Sequence, residues 1–271
     1  RRAPKNGEAT VDQTASRGRA RIGVVVPVSN CNLEPDMGLL RPDGVSVHFA
    51  RAGGYDLDQV PDADQMRQFA LSSLDQVIAD LAAVRPHFVL YGCTSATLAH
   101  GPAFDQEFSA SITQRAGVGA ATAAGALVFA LTTLGVRKIA FSSPYVAALN
   151  DDAIGFLDAS GFETVSRKDF EKDLGNYGQG ELTPEDAYAL GKAADCADAE
   201  ALVLSCTELR AVEAITALER NLDKPVVTSN QALMFTAAVK LGLDPTSVPA
   251  YGQLLSKTTL ESAQTSGSVA A

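Results

Sequence analysis

Short apolar runs alternate along the chain with longer segments in which apolar residues recur every three or four positions. The apolar runs lie at 22–27, 45–50, 88–92, 117–121, 138–142, 162–166, 201–205 and 225–228 and predict buried strands. The helical spacing lies at 62–83, 105–116, 124–134, 149–159, 184–197, 208–219 and 230–241. Strands that alternate with helices in this way form mainly parallel sheets flanked by helices. The pattern therefore predicts an α/β fold.

Two of the predicted strands end in the same dipeptide. Residues 88–95 read FVLYGCTS and residues 201–208 read ALVLSCTE, so each apolar run leads to Cys-Thr and then to a segment with helical spacing. The strands at 22–27 and 138–142 precede these two runs in the same order. This repetition predicts two pseudo-symmetric lobes, each with one cysteine at the carboxyl end of a parallel strand. We expect the active site in the cleft between them.

The chain of 271 residues is long enough for two lobes with cores of their own. We assign the first lobe to 21–120 and the second to 121–245, and the last helix of the second lobe is a candidate to pack back on the first. Residues 1–20 are polar and lack periodicity, which predicts a flexible N-terminal arm. The Ser- and Thr-rich residues 246–271 predict a C-terminal tail.

Charge and hydropathy narrow the possible partners. The formal net charge of −10 argues against nucleic acid and against an anionic membrane surface, because either partner needs a clustered basic face. No apolar run approaches the roughly 18 residues that span a bilayer. The basic start of the chain lacks the apolar segment of a secretory signal. We therefore expect a cytoplasmic protein whose four cysteines are free thiols.

Cys93 and Cys206 are the candidate catalytic residues. A thiol acts as base or nucleophile in its thiolate form, and N–H groups at the start of a helix stabilise that anion. The adjacent Thr94, Ser95 and Thr207 offer hydroxyl and amide groups that can receive a carboxylate. A small residue pair at a tight strand-to-helix junction is the plain alternative. Its recurrence in both halves of the chain favours the catalytic interpretation.

Polar residues after two other strands complete the predicted binding site. Ser29 and Asn30 follow the first strand, in a loop of short polar side chains. Tyr145 and Asn150 occupy the corresponding region after the strand at 138–142. A side-chain amide or phenol in such a loop can bind a carboxylate. An ordinary turn-forming or helix-starting Asn and a packing Tyr are the alternatives.

Motifs for metals and nucleotides are missing from the sequence. The three histidines are isolated and do not show the spacing of metal ligands. Residues 117–122 (GVGAAT) lack the third glycine of the dinucleotide fingerprint, and the chain has no Gly-Lys-Ser/Thr phosphate loop. We therefore expect neither a metal nor a cofactor.

These features resemble the aspartate/glutamate racemase superfamily, and within it the branch of maleate cis-trans isomerases and arylmalonate decarboxylases. The resemblance spans about residues 21–243. The resemblance is based on residues 23–30 (GVVVPVSN), 34–35 (EP), 92–95 (GCTS), 143–145 (SPY), 205–207 (SCT) and 225–232 (PVVTSNQA). It implies two pseudo-symmetric lobes, cofactor-independent chemistry on a small carboxylate, and a homodimer or homotetramer.

The resemblance also implies roles for the cysteines. In a maleate isomerase type of reaction, Cys93 is the nucleophile on the alkene and Cys206 is the proton donor. The positions of Ser29, Asn30 and Tyr145 are similar to that branch.

Three alternatives stay open. Glu208 follows Cys-Thr in the second motif, which is similar to amino-acid racemases, so the two thiols are alternatively the acid and base of a racemase or epimerase of an amino acid or its derivative. Arylmalonate-type decarboxylases keep only the second-lobe cysteine, and the presence of both cysteines disfavours that activity. A non-catalytic carboxylate-binding protein is the third alternative.

Overall fold

The computed structural model describes residues 18–53, 62–248 and 251–256. Most of the predicted arm at 1–20 and most of the predicted tail at 246–271 lie outside the described residues. The lobe boundaries at 120 and 245 stay predictions.

The first half of the chain forms a four-stranded parallel sheet. Its strands are β1 (Ala20–Pro27), β2 (Val45–Ala52), β3 (Phe88–Tyr91) and β4 (Ala120–Thr122). Its helices are α1 (Leu33–Leu40), α2 (Ala63–Ser72), α3 (Leu74–Ala82), α4 (Ser95–Leu98) and α5 (Gly101–Ala116). The strand order is β2-β1-β3-β4, and every neighbouring pair is parallel.

The second half repeats this topology. Its strands are β5 (Lys138–Ser142), β6 (Glu163–Lys168), β7 (Ala201–Leu204) and β8 (Val226–Thr228). Its helices are α6 (Ala123–Leu134), α7 (Ala147–Ala159), α8 (Pro184–Ala194), α9 (Ile215–Leu222) and α10 (Ser229–Lys240). The order β6-β5-β7-β8, again with parallel pairs, matches that of the first sheet. The predicted α/β fold with two mainly parallel sheets is confirmed.

The predicted helix at 208–219 is wrong at its start. After β7 the chain turns through 207–211, and α9 begins only at Ile215. The carbonyl groups that a helix would use are bound elsewhere: Asn230 Nδ2 donates to Thr207 O at 3.0 Å, and Asn32 Nδ2 donates to Glu208 O at 2.7 Å. Cys206 therefore precedes a turn, whereas Cys93 does precede the short helix α4.

Two helices link the sheets. α6 follows β4 yet also contacts β8, and α10 follows β8 yet contacts β3, β4 and α1. The two helices pack on each other, with the ring centroids of Phe129 and Phe235 5.8 Å apart. Leu127 of α6 is fully buried in this shared core. The relative position of the two sheets thus depends on close packing between α6 and α10.

The substitution Leu127→Ala tests this packing. We expect the free energy of unfolding to fall by about 2–5 kcal/mol, because the lost methyl groups leave a cavity in the core. Leu39→Ala is the matched control, since Leu39 of α1 is 41% exposed and its truncation should change stability by less than about 0.5 kcal/mol. Urea denaturation of both variants provides the measurement. Equal losses would contradict this account of the core.

Candidate active site

Each sheet has a topological switch point between its two central strands. In the first sheet the chain passes from β1 to β2 on one side and then to β3 on the other, and β5, β6 and β7 do the same in the second. Open parallel sheets bind ligands in the crevice at the carboxyl ends of these strands. Cys93 follows β3 and Cys206 follows β7. Both cysteines thus lie at such a crevice.

Hydrogen bonds join the loop before Cys93 to the loop after Cys206. Thr207 Oγ1 donates to the carbonyl oxygen of Gly92 at 2.9 Å, across the two halves of the chain. Asn30 Nδ2 donates to Thr207 Oγ1 at 3.1 Å, which adds the loop after β1. Thr207 and Asn30 are almost fully buried. The carboxyl ends of the two sheets therefore face each other.

Ser229, the first residue of α10, provides a second link. Its Oγ atom accepts a hydrogen bond from Thr94 Oγ1 at 3.2 Å and another from the backbone N–H of Cys206 at 3.2 Å. Ser229 is fully buried. Thr207 therefore hydrogen-bonds directly to Gly92, and Ser229 connects Thr94 with the backbone of Cys206. Because these bonds join the two cysteine loops, Cys93 and Cys206 share one cleft.

Gly92 is required by the close approach of this loop to the sheet. Its N–H donates to Val25 O at 2.9 Å, and a Cβ atom at this position would come 2.9 Å from the same oxygen and overlap the side chain of Leu33. A larger residue would displace the loop that carries Cys93.

Cys93 is half-buried and lies next to neutral donors. Its Sγ atom is 3.7 Å from Ser95 Oγ. Burial raises the pKa of the Cys93 thiol, and the backbone N–H groups of Ala96 and Ser95, at the start of α4, act in the opposite direction together with the Ser95 hydroxyl. The charge of Glu208 raises the pKa further.

Cys206 is more deeply buried, with 3% of its surface exposed. Its Sγ atom is 3.4 Å from the Tyr145 hydroxyl and accepts the N–H of Glu208 at 3.4 Å. Burial raises the pKa of Cys206 to about 12, despite the opposing hydrogen bond from Tyr145. Burial, followed by the charge of Cys206, also raises the pKa of Tyr145 well above its usual value.

Neither Cys93 nor Cys206 has a depressed pKa in this structure. Desolvation disfavours the thiolate of both cysteines more than the local N–H donors favour it. The two environments nevertheless differ. Cys93 lies at a helix start, while Cys206 hydrogen-bonds to a phenol and keeps its proton over the physiological pH range.

Several predicted binding residues serve to hold the site together. Asn30 Oδ1 accepts the N–H groups of Asn32 and Leu33, and so positions the start of α1. Asn150 Nδ2 donates to Tyr145 O at 3.1 Å and to Asp169 Oδ1 at 2.9 Å. The Asn150 amide therefore positions the loop that carries Tyr145.

Ser29 and Ser143 lie in the two corresponding loops. Ser29 is half-buried and makes no hydrogen bond to another predicted site residue within the part of the chain that the structure describes. Ser143, which was not among the predicted site residues, donates to Asn150 Oδ1 and accepts the N–H of Tyr145 at 3.1 Å. The second of these loops is thus braced by its own side chains.

Sequence reasoning missed the residues that link the lobes from α10. Besides Ser229, Asn230 Nδ2 donates to Asp36 Oδ2 of α1 at 2.7 Å and to Thr207 O. The available signal was the string TSNQ, which begins at the last residue of β8 and starts a helix in which Thr228 and Gln231 form a capping box. Such a start places the next two side chains at the carboxyl edge of the sheet.

Glu208 is buried directly after the Cys206-Thr207 pair. Its side chain is 8% exposed, and its Oε1 atom accepts a long hydrogen bond of 3.8 Å from Cys31 Sγ. A Cβ atom on Gly180 would lie 2.9 Å from Oε1, so this contact requires glycine. Burial raises the pKa of Glu208 to about 7. The carboxyl therefore titrates near neutral pH.

The described residues also bear on metal binding and membrane association. No group of three or more His, Cys, Asp or Glu residues among them is arranged to hold a metal ion. None of their helices combines the length and the apolar character needed to cross a membrane. All four cysteines are free.

Known proteins share this architecture. The family model for arylmalonate decarboxylase matches residues 22–255. A maleate isomerase of Nocardia farcinica is 28% identical over 248 residues, which are 88% of this chain and 96% of that protein. An arylmalonate decarboxylase of Bordetella bronchiseptica is 25% identical over 235 residues, 85% of this chain and 91% of that protein.

Solved structures share the fold as well. The Nocardia farcinica maleate cis-trans isomerase, as a Cys-to-Ser variant with a covalently bound succinylcysteine intermediate, superposes with a TM-score of 0.80. The two chains are 24% identical, and the match covers 88% of this chain and 98% of the other. The resemblance inferred from the order and spacing of the six sequence strings is therefore confirmed. The chain belongs to the arylmalonate decarboxylase family, and its maleate isomerase relatives belong to the same family.

Proposed function

We propose that the protein is a cofactor-independent isomerase of small carboxylates that acts in the manner of a maleate isomerase. The observation that carries this proposal is the convergence of Cys93 and Cys206, from two separate sheets, on one cleft. The relatives named maleate isomerase, which align over most of this chain, support the same enzyme class. A decarboxylase with a single second-lobe cysteine would not need Cys93.

The proposed reaction begins with addition to the double bond. The Cys93 thiolate forms a C–S bond to one alkene carbon, while the Cys206 thiol gives its proton to the other carbon. The carbons are then joined by a single bond, about which the intermediate rotates. Cys206 takes the proton back, the C–S bond breaks, and the trans alkene leaves. Each cycle regenerates the thiolate and the thiol, so the reaction consumes no proton overall.

The different surroundings of the thiols support this division of roles. The N–H groups of Ser95 and Ala96 and the Ser95 hydroxyl favour the thiolate of Cys93. A pKa of about 12 keeps Cys206 protonated until a strongly basic carbon develops beside it. Tyr145, at 3.4 Å, can hydrogen-bond to the Cys206 thiolate that remains after proton transfer.

A racemase or epimerase is the second candidate, and the observation that favours it is the buried Glu208 carboxyl, whose charge raises the pKa of both thiols. A carboxylate there could bind the ammonium group of an amino acid, with Cys93 and Cys206 as acid and base on opposite faces of the α-carbon. Such an enzyme would exchange the α-hydrogen of its substrate with deuterated water. An isomerase of the proposed type forms a covalent intermediate instead.

The two cysteine variants should trap different species. We expect Cys206→Ser to accumulate a maleate adduct on Cys93, because addition can still occur while the proton donor and acceptor is impaired. Cys93→Ser should form no adduct, since a hydroxyl without a strong base adds poorly. Intact-protein mass spectrometry and peptide mapping after exposure to maleate provide the measurement.

Cys196→Ser is the matched control for the adduct experiment, because Cys196 lies away from the cleft and accepts a bond from Lys224 through its backbone oxygen only. It should behave like the wild type. An adduct on Cys206 with none on Cys93 would reverse the roles. If neither variant formed an adduct, and each exchanged the α-hydrogen of only one enantiomer of an amino-acid substrate, the result would favour the racemase.

Alkylation of Cys93 should depend steeply on pH. Its pKa is raised above the ordinary value of 9.0, so the thiolate fraction and the rate of reaction with iodoacetamide should rise by about tenfold per pH unit between pH 7 and 9. The Cys93 peptide in the urea-unfolded chain is the reference and should level off at lower pH. A rate that is already constant at pH 7 would show that the folded pKa is depressed.

The proposal extends to assembly and location. We propose a homodimer or a dimer of dimers that acts in the cytoplasm, as the resemblance to the superfamily implies. Light scattering at micromolar concentration should give a mass of at least twice the 28.3 kDa of the chain. A monomer under these conditions would contradict the proposed assembly.

A further inference from the structure

The two cysteine motifs differ at one polar position. Ser95 stands two residues after Cys93, and Glu208 stands two residues after Cys206. The Ser95 hydroxyl is a neutral group near its thiol, at 3.7 Å. The Glu208 carboxyl instead contacts the Cys31 thiol at 3.8 Å, and its charge raises the pKa of both Cys93 and Cys206. The two motifs thus differ in hydrogen-bonding character, because a hydroxyl donates and accepts hydrogen bonds whereas a carboxylate only accepts them.

Two segments fix the position of Glu208: residues 31–32 bind it, and Gly180 packs close to its carboxyl. Asn32 Nδ2 donates to the carbonyl oxygens of both Glu208, at 2.7 Å, and Gly180, at 3.0 Å. The Cys31 thiol and its backbone N–H group contact the carboxyl. A carboxylate has about four acceptor positions, and Cys31 supplies a weak S–H donor and one N–H donor. The carboxyl is held in place but retains the capacity to accept further hydrogen bonds.

Charges around Glu208 do not neutralise it. The charge of Arg51 favours its ionised form, but the Arg51 guanidinium donates to Glu34 Oε1 at 2.6 Å and to the carbonyl oxygen of Asn30 at 2.8 Å. Glu181 adds a negative charge that disfavours ionisation. Ionised Glu208 in turn raises the pKa of both thiols and of Tyr145. Its charge therefore acts inside the cleft.

A symmetric dicarboxylate fits this arrangement poorly. One carboxylate of the substrate can bind the neutral donors near Cys93, but the other would lie beside ionised Glu208. Placing like charges together in a desolvated site costs several kcal/mol. An amide at the second end would remove the repulsion and offer N–H donors to the carboxylate.

We infer that Glu208 is a specificity-determining residue that accepts an N–H group of the substrate, so that the preferred ligand is a four-carbon monocarboxylate with a primary amide at its second end. For the proposed isomerase this ligand is the monoamide of a cis-butenedioic acid. The inference rests on the proposed function for the alkene, but the contact with Glu208 does not depend on turnover. Glu208 acts here by binding, and the thiols carry the reaction.

The pH dependence of this preference has a definite sign. The pKa of Glu208 is raised to about 7, so the carboxyl is largely neutral at pH 6 and largely ionised at pH 8. The titratable groups that interact with Glu208 are Cys31, Cys93, Cys206 and Tyr145, each with a raised pKa, together with Arg51 and Glu181. Because their pKa values are raised, the three thiols and the phenol stay protonated between pH 6 and pH 8. Discrimination against a second carboxylate should therefore increase from pH 6 to pH 8.

The test compares two saturated, unreactive ligands, succinamate and succinate, by calorimetric titration. At pH 8 we expect the wild type to bind succinamate at least about tenfold more tightly than succinate. In Glu208→Gln the ratio should fall to about one or reverse, because the glutamine amide donates hydrogen bonds and carries no charge. Glu181→Gln is the matched control: it removes an exposed negative charge near the same site and should keep the wild-type ratio.

The pH series adds a readout that a structural role would not alter. The ratio should decrease in the wild type at pH 6, whereas Glu208→Gln should show only the change due to ionisation of the ligands themselves. Equal binding of the two ligands by the wild type at pH 8 would overturn the inference even if Glu208→Gln did not fold. A wild-type ratio retained in folded Glu208→Gln would also overturn it.

Turnover of maleate and maleamate, followed by proton NMR, separates this inference from the proposed function. If the wild type isomerises maleate but does not distinguish succinamate from succinate, the inference fails and the isomerase stands. If it isomerises neither alkene but shows the Glu208-dependent preference for succinamate, the isomerase fails and the role of Glu208 stands.

Discussion

The active-site cleft depends on two buried hydroxyl groups that connect the loops bearing the cysteines. Thr207 Oγ1 binds the carbonyl of Gly92, and Ser229 Oγ binds Thr94 and the N–H group of Cys206. These bonds satisfy polar groups that would otherwise be buried without partners. Leaving such a group without a partner costs about 1–3 kcal/mol. The two sheets could pack through α6 and α10 without them. The hydroxyls determine that the two cysteines lie in the same cleft.

The burial that closes the cleft also opposes the ionisation of its thiols. Desolvation outweighs the helix-start donors at Cys93 and raises the pKa of Cys206 to about 12. This is consistent with an addition reaction in which one sulfur attacks while the other delivers a proton, because the second sulfur must remain protonated until the carbon becomes basic. A pair of readily ionised thiols would lack that acid. Unequal burial thus suits two chemically similar side chains to the different roles proposed for them.

The sequence was most informative where a pattern is local. The Cys-Thr strings after apolar runs predicted β3, β7 and the two cysteines, and the order of strands predicted two similar sheets. The helix expected at 208–219 failed because Asn230 and Asn32, both distant along the chain, bind the carbonyl groups of Thr207 and Glu208. Hydrophobic periodicity contains no information about such contacts. For the same reason Asn30 and Asn150 were identified as polar residues that follow a strand, while the partners that hold them were not.

The two halves of the fold are pseudo-symmetric, but equivalent positions near the two cysteines hold chemically different residues. The same strand order positions Cys93 and Cys206, yet the residue two positions later is Ser95 in one half and Glu208 in the other. When Cys206 gives up its proton, the resulting thiolate lies near ionised Glu208, which raises the free energy of that state and favours return of the proton. Glu208 would thereby promote elimination of the intermediate as well as select the group at the second end of the substrate. A cleft meant to treat both ends alike would have no physical reason to place a carboxylate at one end alone.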